Sequence, residues 1–342
     1  MPNRRLKIIV EAGVPYTEPL AEVADTVWLP YGEITPDAVA DADAMIVRTR
    51  NRCDKSLLEG SKVSFIATAT IGTDHIDLPW CRANGITVAN APGCNAPAVA
   101  QYVFSCLMRL INRPISSYRL GIVGVGHVGK IVERWARAMS IKVMLCDPPR
   151  QAAEGGDGWS TLDEMAAQAD IVTFHTPLTF DGPYPTFHLA DEAFFNRLGR
   201  APIIINAARG AVVDNRAWAE AIEAGQCGPA VVDCWEGEPN PNVRLLADAA
   251  IATPHIAGYS AAGKLRATRM ALDALGAHFN LPALKATPHG IPGCPEAITP
   301  AEAIRSYDPM PESDALKSVP EDFEKIRAAY PLRNEPLNVF PT

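Results

Sequence analysis

No stretch of this 342-residue chain approaches the roughly 18–20 consecutive apolar residues that a membrane-spanning helix requires. None of its eight cysteines forms a C-x-x-C pair, so neither a zinc cluster nor a disulfide framework is expected. Reduced, mostly buried thiols are the reading, with Cys94 set apart only by its Gly/Pro loop, Ala91-Pro92-Gly93-Cys94-Asn95. Positive charge is in deficit: 31 Lys and Arg face 39 Asp and Glu, leaving a net −8. That balance argues against a nucleic-acid partner, which usually requires a basic face. It leaves room for a small anion held by a few local arginines. The start, Met1 to Lys7, is polar and basic and runs directly into the strand-like Ile8-Ile9-Val10, without the longer apolar core of a secretory signal. A cytoplasmic protein with no membrane partner is expected. With 48% hydrophobic and 20% charged residues, the chain has the composition of a soluble globular protein, and its length suits two domains.

Short apolar runs punctuate the sequence. The first set is Lys7–Val10, Thr26–Leu29, Ala44–Val47, Ser64–Ala67 and Ile86–Ala89; the second is Leu120–Val123, Lys142–Cys146, Asp170–Phe174, Pro202–Ile205, Ala230–Val232 and Ala249–Ala252. Brief runs bounded by Gly, Pro or Asp, alternating with amphipathic segments, predict α/β units with parallel sheets covered on both faces. Val128, Ile131, Val132, Trp135 and Met139 recur at helical spacing between two of these runs. Two sets imply two doubly wound units, divided near Asn90–Pro97, with a helix from about Pro97 to Asn112. From Pro282 onward the chain holds 11 of its 30 prolines, so one short helix, about Glu321–Tyr330, is all that is expected there.

Gly124-Val125-Gly126-His127-Val128-Gly129 follows the strand Gly121-Ile122-Val123 and opens the amphipathic helix. In that context a G-x-G-x-x-G string reads as a dinucleotide fingerprint. The first glycine permits a tight turn, the second lets a pyrophosphate approach the backbone, and the third allows helix and strand to touch. The next strand ends at Asp147, whose carboxylate can accept from both ribose hydroxyls and would repel a 2′-phosphate. NAD is therefore favoured over NADP, although Arg150 lies close by.

Ligands of open α/β sheets gather at the carboxyl ends of the strands. Three successive ends carry Asn206-Ala207-Ala208-Arg209-Gly210, Asp233-Cys234-Trp235-Glu236-Gly237-Glu238-Pro239 and Thr253-Pro254-His255-Ile256-Ala257-Gly258-Tyr259. Arginine forks onto a carboxylate, histidine moves protons near neutrality, and a glutamate orients the imidazole. Together they suit hydride chemistry at C2 of a small 2-hydroxy acid, with Arg209, His255 and either Glu236 or Glu238 as the set. Local spacing does not choose between the two glutamates.

These segments, with Gly124–Gly129 and Asn206–Asp214, resemble the D-isomer-specific 2-hydroxyacid dehydrogenases. Thr68–His75, Ala91–Asn95, Phe174-His175-Thr176-Pro177-Leu178 and Asp181-Gly182-Pro183-Tyr184 resemble a branch of that family acting on a phosphorylated four-carbon acid. The resemblance runs from about residue 7 to 280. It implies oxidation of 4-phospho-D-erythronate to 2-oxo-3-hydroxy-4-phosphobutanoate, a step toward pyridoxal phosphate. It assigns Arg209 to the carboxylate, Glu238 rather than Glu236 to support of the histidine, and His255 to acid–base work. It places Gly124, Gly126, His127, Val128, Gly129, Asp147, Thr176, Ala207, Ala208, Asp233 and Gly258 on NAD, and Thr49, Thr70 and Tyr259, with Arg209, on substrate. The implied organisation is a flavodoxin-like substrate domain over 1–95, completed by part of 258–282, and a Rossmann NAD domain over 96–257. A short Pro-rich extension follows over 283–342. The family's longer C-terminal dimerisation domain is matched only by a segment at Val319–Arg327, and a homodimer is still the implied assembly.

A 4-phosphate calls for positive charge. Arg48, Arg50 and Arg52 alternate after the run Ala44–Val47, and in extended chain would share one face, so at least one is expected on the phosphate, Arg48 first. Two alternatives keep the same fold: a dehydrogenase of another small D-2-hydroxy acid such as glycerate or lactate, and an NAD(H)-sensing corepressor that binds without turnover.

Overall fold

A computed structural model of the chain describes residues 4–281 and 293–336. Contacts divide it into two compact units, one up to Asn95 and resumed from Ala261, the other from Ala96 to Ser260 and resumed from Gly293. Parts of the proposed C-terminal extension, at 283–292 and 337–342, lie outside the described residues.

The first unit is a five-stranded parallel sheet of β1 (Lys7–Glu11), β2 (Asp25–Leu29), β3 (Ala44–Val47), β4 (Phe65–Thr68) and β5 (Thr87–Ala89), in the order β2-β1-β3-β4-β5. Its inner strands β3 and β4 are buried along their whole length because both faces are covered, while the edge strand β2 is largely exposed. Ile8, Val10, Ala44 and Ile46 point into one core cluster, while Ile9, Met45 and Val47 point into the other.

The second unit is a six-stranded parallel sheet of β6 (Arg119–Val123), β7 (Lys142–Cys146), β8 (Ile171–Phe174), β9 (Ile203–Asn206), β10 (Ala230–Val232) and β11 (Ile251–Ala252). Its order is β11-β10-β9-β8-β6-β7. The same alternation holds: Ile203 and Ile205 go to one cluster and Ile204 to the other. The chain starts at β6, steps outward to β7, and returns to the opposite side for β8, so the order reverses beside β6. That reversal is where a doubly wound sheet opens a crevice for ligand. Among the described residues, a single parallel bridge, Leu145 to Trp159, continues the sheet beyond β7. The two doubly wound parallel sheets expected from the apolar runs are both present.

The tail corrects the expectation of one short helix. Besides Phe323–Ala329 it carries Pro300–Ser306 and Met310–Ser318. Proline here starts helices. Pro300 and Pro311 occupy first-turn positions, where the missing N–H would have had no partner, and Thr299 with Glu302 forms a capping box ahead of the first. This tail is built into the second unit. Trp135 donates from Nε1 to the Pro295 carbonyl at 2.9 Å, the Ser105 hydroxyl donates to the Ala303 carbonyl at 3.0 Å, and Leu316 and Phe323 join the core cluster around Phe174 and Trp218. No helix among the described residues is long and apolar enough to cross a membrane.

Candidate active site

At the carboxyl end of β6 the three glycines behave differently. Gly124 has φ +85°, and a Cβ there would lie 2.8 Å from the His175 backbone and 2.9 Å from the Thr176 methyl. A Cβ on Gly129 would fall 2.1 Å from the Gly124 carbonyl oxygen. Around Gly126, which caps the helix His127–Ala138, there is nothing within 4 Å. The first and third glycines thus close the strand–helix turn, and the second leaves bare backbone at a helix N-terminus, where an anion fits. His127 is exposed on the first turn, Val128 is partly buried, and both head the same helix.

Asp147 ends β7 and sits beside this turn. One carboxylate oxygen accepts the Val125 N–H at 2.8 Å and the other caps the next helix by accepting the Arg150 N–H at 3.0 Å. The Arg150 guanidinium is engaged by protein, forked onto Glu154 at 2.8 and 2.7 Å and donating to the Val125 carbonyl at 2.8 Å. An acidic Asp147 at this strand end is in keeping with NAD. On the other side of β6, at the end of β8, two buried polar atoms have no partner among the described residues: Thr176 Oγ1 and His175 Nδ1. Burial pushes His175 down to about 3, so its ring is neutral. Unpartnered buried groups beside an open glycine turn mark a place built for a polar ligand, and the residues here fit a dinucleotide.

The acid–base group is assembled by the next three strand ends. Asn206, the last residue of β9, binds the loop behind it: its side-chain amide donates to the Arg209 carbonyl at 3.0 Å, and its oxygen accepts the Ala208 N–H at 3.1 Å. Ala207 and Ala208 thereby lead the chain to Arg209, and Gly210 follows so close to Trp235 that a Cβ would lie 2.0 Å from the Trp235 oxygen. Asp233, just past β10, is buried and accepts the Thr253 hydroxyl at 2.7 Å and the Ile256 and Ala257 N–H groups at 2.8 and 3.0 Å. It clasps the turn that carries His255, Gly258 and Tyr259. Desolvation raises Asp233 above the ordinary carboxylate range, and those donors oppose the rise.

His255 has φ +57°, a left-handed conformation uncommon outside glycine, and its N–H donates to the Asp233 carbonyl at 2.9 Å. The imidazole Nδ1 lies 3.0 and 2.9 Å from the two carboxylate oxygens of Glu238. Burial pushes Glu238 up, but the His255 hydrogen bond and charge, the Trp235 N–H and the charge of Arg327 outweigh it, leaving Glu238 below its ordinary value. An ionised Glu238 keeps the proton on Nδ1 and leaves Nε2 free to accept one. Glu236 has a different partner: its carboxylate meets His188 Nε2 at 2.7 Å.

Comparison with known proteins gives the family. Residues 105–257 match the family model described as the NAD-binding domain of D-isomer-specific 2-hydroxyacid dehydrogenases. The chain is 47% identical to the erythronate-4-phosphate dehydrogenase of Bacteroides thetaiotaomicron over 96% of this chain and 97% of that protein. It is 42% identical to the Porphyromonas gingivalis protein of the same name, over 95% and 92%. The chain belongs to the D-isomer-specific 2-hydroxyacid dehydrogenases. Its fold is that of the D-lactate dehydrogenase from Aquifex aeolicus, whose structure is complexed with NAD and lactic acid: TM-score 0.69, 23% identity, 80% of this chain and 95% of that one. This dehydrogenase uses NAD and acts on a hydroxy acid.

The other expected substrate residues sit at strand ends of the first unit. Thr49 is exposed in the turn after β3, and Thr70 follows β4, its hydroxyl 2.6 Å from that of Thr68 and donating to the Gly72 carbonyl at 3.2 Å. The shared face expected of the three arginines is corrected. The chain does not stay extended after Val47: the Asn51 N–H donates to the Arg48 carbonyl and closes a turn, so the residues do not share a face. Arg48 donates to the Gly13 carbonyl at 3.1 Å, Arg50 lies 5.4 Å over the Tyr31 ring, and Arg52 pairs with Asp54 at 2.7 Å. Cys94 is buried in the first unit's core, as most cysteines are in theirs. Sequence reasoning missed two tail residues of this dehydrogenase. Arg327 reaches Tyr259, and Arg333 grips the backbone of the His255 turn. The sign available in the sequence was two arginines near the end of a net-acidic, proline-rich tail.

Proposed function

We propose that the protein oxidises 4-phospho-D-erythronate at C2 to 2-oxo-3-hydroxy-4-phosphobutanoate, on the way to pyridoxal phosphate. The observation that carries the acid–base part is the His255–Glu238 contact at 2.9 Å, made by the loops after β10 and β11. The phosphorylated substrate rests on the shared name of the two relatives above. Arg209 grips the substrate carboxylate and fixes the C2 hydrogen. The Nε2 of His255 takes the C2 hydroxyl proton, and Glu238 stabilises the imidazolium that results. NAD, when bound, supplies the hydride acceptor. Gly126 with the helix start at His127, Asp147, Thr176, Ala207, Ala208, Asp233 and Gly258 are the proposed cofactor contacts. Thr49, Thr70 and Tyr259, with Arg48 as a further candidate, are the proposed substrate contacts. The first unit is the substrate domain in this reading and the second the NAD domain.

We propose further a cytoplasmic homodimer. Eight cysteines with no disulfide among the described residues suit a reducing compartment, and the exposed Phe180, Tyr184 and Phe187 of one loop are a surface a second copy could cover. Light scattering on the purified protein gives the assembly directly.

The substrate test is NADH formation with 4-phosphoerythronate against erythronate, glycerate and lactate, repeated with a 2-oxo acid acceptor present. A strong preference for the phosphorylated acid is expected. Comparable turnover of the unphosphorylated acids would remove the substrate assignment and leave the hydride chemistry. His255→Ala should lose about 10²–10⁴-fold in kcat while still binding NAD; unimpaired turnover in that variant would remove the acid–base role.

A further inference from the structure

We propose that Arg327, carried by the C-terminal helix Phe323–Ala329, is a specificity-determining residue that binds the phosphate of the substrate. The inference rests on the reading that the substrate is a phosphorylated 2-hydroxy acid. Such a molecule has two anionic ends, and Arg209 serves only the carboxylate. A second cation is needed near the acid–base group, and none of the strand-end motifs of the second unit contains one.

Arg327 is placed for it. Its helix is pinned by Phe323, which is buried in the core. The side chain is four-fifths covered, with 21% exposed. Nε donates to the Tyr259 hydroxyl at 3.2 Å, and the guanidinium carbon lies 5.8 Å from the Tyr259 ring centre. Tyr259 stands four residues after His255 in the turn clasped by Asp233, and is itself a candidate substrate contact. The charge of Arg327 also reaches Glu238, the partner of His255. Thus a residue about seventy positions away in sequence brings a guanidinium to the edge of the catalytic group.

The donors of this guanidinium are poorly matched by protein. A covered arginine is stable when its fork is filled, and Arg327 fills little of it. Nη1 meets Glu324 at 3.3 Å, one turn back on the same helix, and that carboxylate is half exposed. Nη2 has no hydrogen-bond partner among the described residues. A guanidinium with an unfilled fork beside a tyrosine hydroxyl fits a phosphate dianion, which offers three acceptor oxygens. Lysine would keep the charge but lose the fork.

The test compares 4-phosphoerythronate with erythronate in the wild type, Arg327→Ala and Arg327→Lys. Melting temperature and NAD affinity are measured alongside. Arg327→Ala should lower kcat/KM for the phosphorylated acid by on the order of 10- to 100-fold, mainly through KM. The loss for erythronate should be several-fold smaller than for the phosphorylated acid, and Arg327→Lys should recover part of the selective loss. Inorganic phosphate should inhibit the wild type competitively and the alanine variant less. An equal fall for both substrates would show that Arg327 only supports the fold near Tyr259, and unchanged ratios would show that the phosphate is held elsewhere; either overturns the proposal while the substrate assignment stands. A wild type that does not prefer the phosphorylated acid overturns both together. Should Arg327→Ala fail to fold, the lysine variant carries the comparison, with a selective rise in KM expected and an unchanged ratio overturning the proposal.

Discussion

His175 shows how a single buried ring ties the cofactor side of the site to stability. Its Nε2 lies 3.0 Å from the Thr173 hydroxyl, its Nδ1 has no partner among the described residues, and burial pushes it from 6.5 down to about 3. Below about pH 6.5 the unfolded chain takes up a proton here that the folded chain refuses. The stability from keeping this ring neutral is therefore complete above pH 6.5 and is lost as pH falls toward 3, at up to about 1.4 kcal/mol per pH unit. Urea unfolding of wild type and His175→Gln at pH 7 and pH 4.5, without NAD, checks it. The wild type should lose about 2–3 kcal/mol more than the variant over that interval. Parallel losses would mean that the ring is solvated. The glutamate choice belongs to the same scale. Glu236 and Glu238 are two residues apart, and no pattern separates them. The chain turns between them, so that Glu238 accepts the Trp235 N–H at 2.9 Å and faces His255, while Glu236 is sent to His188, 48 residues away in sequence. A tight turn decides the role, and residue spacing does not encode it.

Strand ends were the most legible elements. In a sheet covered on both faces the apolar runs stop where the backbone leaves the core, so the first polar residues after Ile205, Val232 and Ala252 announce the site. Two elements were hidden for physical reasons. The strand position at Trp159 makes one bridge and has no apolar run to betray it. The tail helices are short and begin with proline, so periodicity is too brief to read and proline looks like a breaker. The turn after β6 gives a prediction at this scale. Gly126→Ala adds a methyl where nothing lies within 4 Å, so folding should be unaffected, while the dinucleotide phosphates lose their close approach. Gly129→Ala drives a methyl to 2.1 Å from the Gly124 oxygen and must open the turn itself. The expected result is an unchanged melting temperature with NAD affinity weakened about tenfold or more for the first variant, and a depressed melting temperature for the second. Calorimetry and NAD titration of both variants distinguish a binding lesion from a folding lesion. A Gly126→Ala protein that binds NAD normally would place the pyrophosphate elsewhere.

At the scale of the whole molecule the tail closes the second unit upon itself. The chain enters this unit at Ala96, leaves it after Ser260 and re-enters at Gly293. One buried guanidinium, Arg333, holds both crossing points on this side. Nε donates to Gln101 Oε1 at 2.9 Å and Nη2 to the Ala98 carbonyl at 2.9 Å, at the start of the helix Ala96–Leu110. Nη1 donates to the carbonyls of Ile256 and Tyr259 at 3.0 and 3.1 Å, and Nη2 also reaches the Ala257 carbonyl. Beside it Ser260 pairs with Arg333 as a parallel bridge and donates from its hydroxyl to Glu335 at 2.6 Å. The carbonyls of Ile256, Ala257 and Tyr259 belong to the turn in which His255 has its left-handed backbone, so the tail braces a strained conformation at the proposed acid–base residue. Arg333→Met keeps much of the volume and strands four buried carbonyls. Leaving a buried carbonyl without its donor costs about 1–3 kcal/mol each. The expected variant therefore unfolds earlier in denaturant and loses kcat through His255, with NAD affinity near that of wild type because the glycine turn and Asp147 are untouched. Denaturant midpoints, NAD titration and steady-state kinetics on the same preparation check all three. A variant with wild-type kcat and a lowered midpoint would confine the tail to stability, and one with neither change would leave the His255 turn self-supporting.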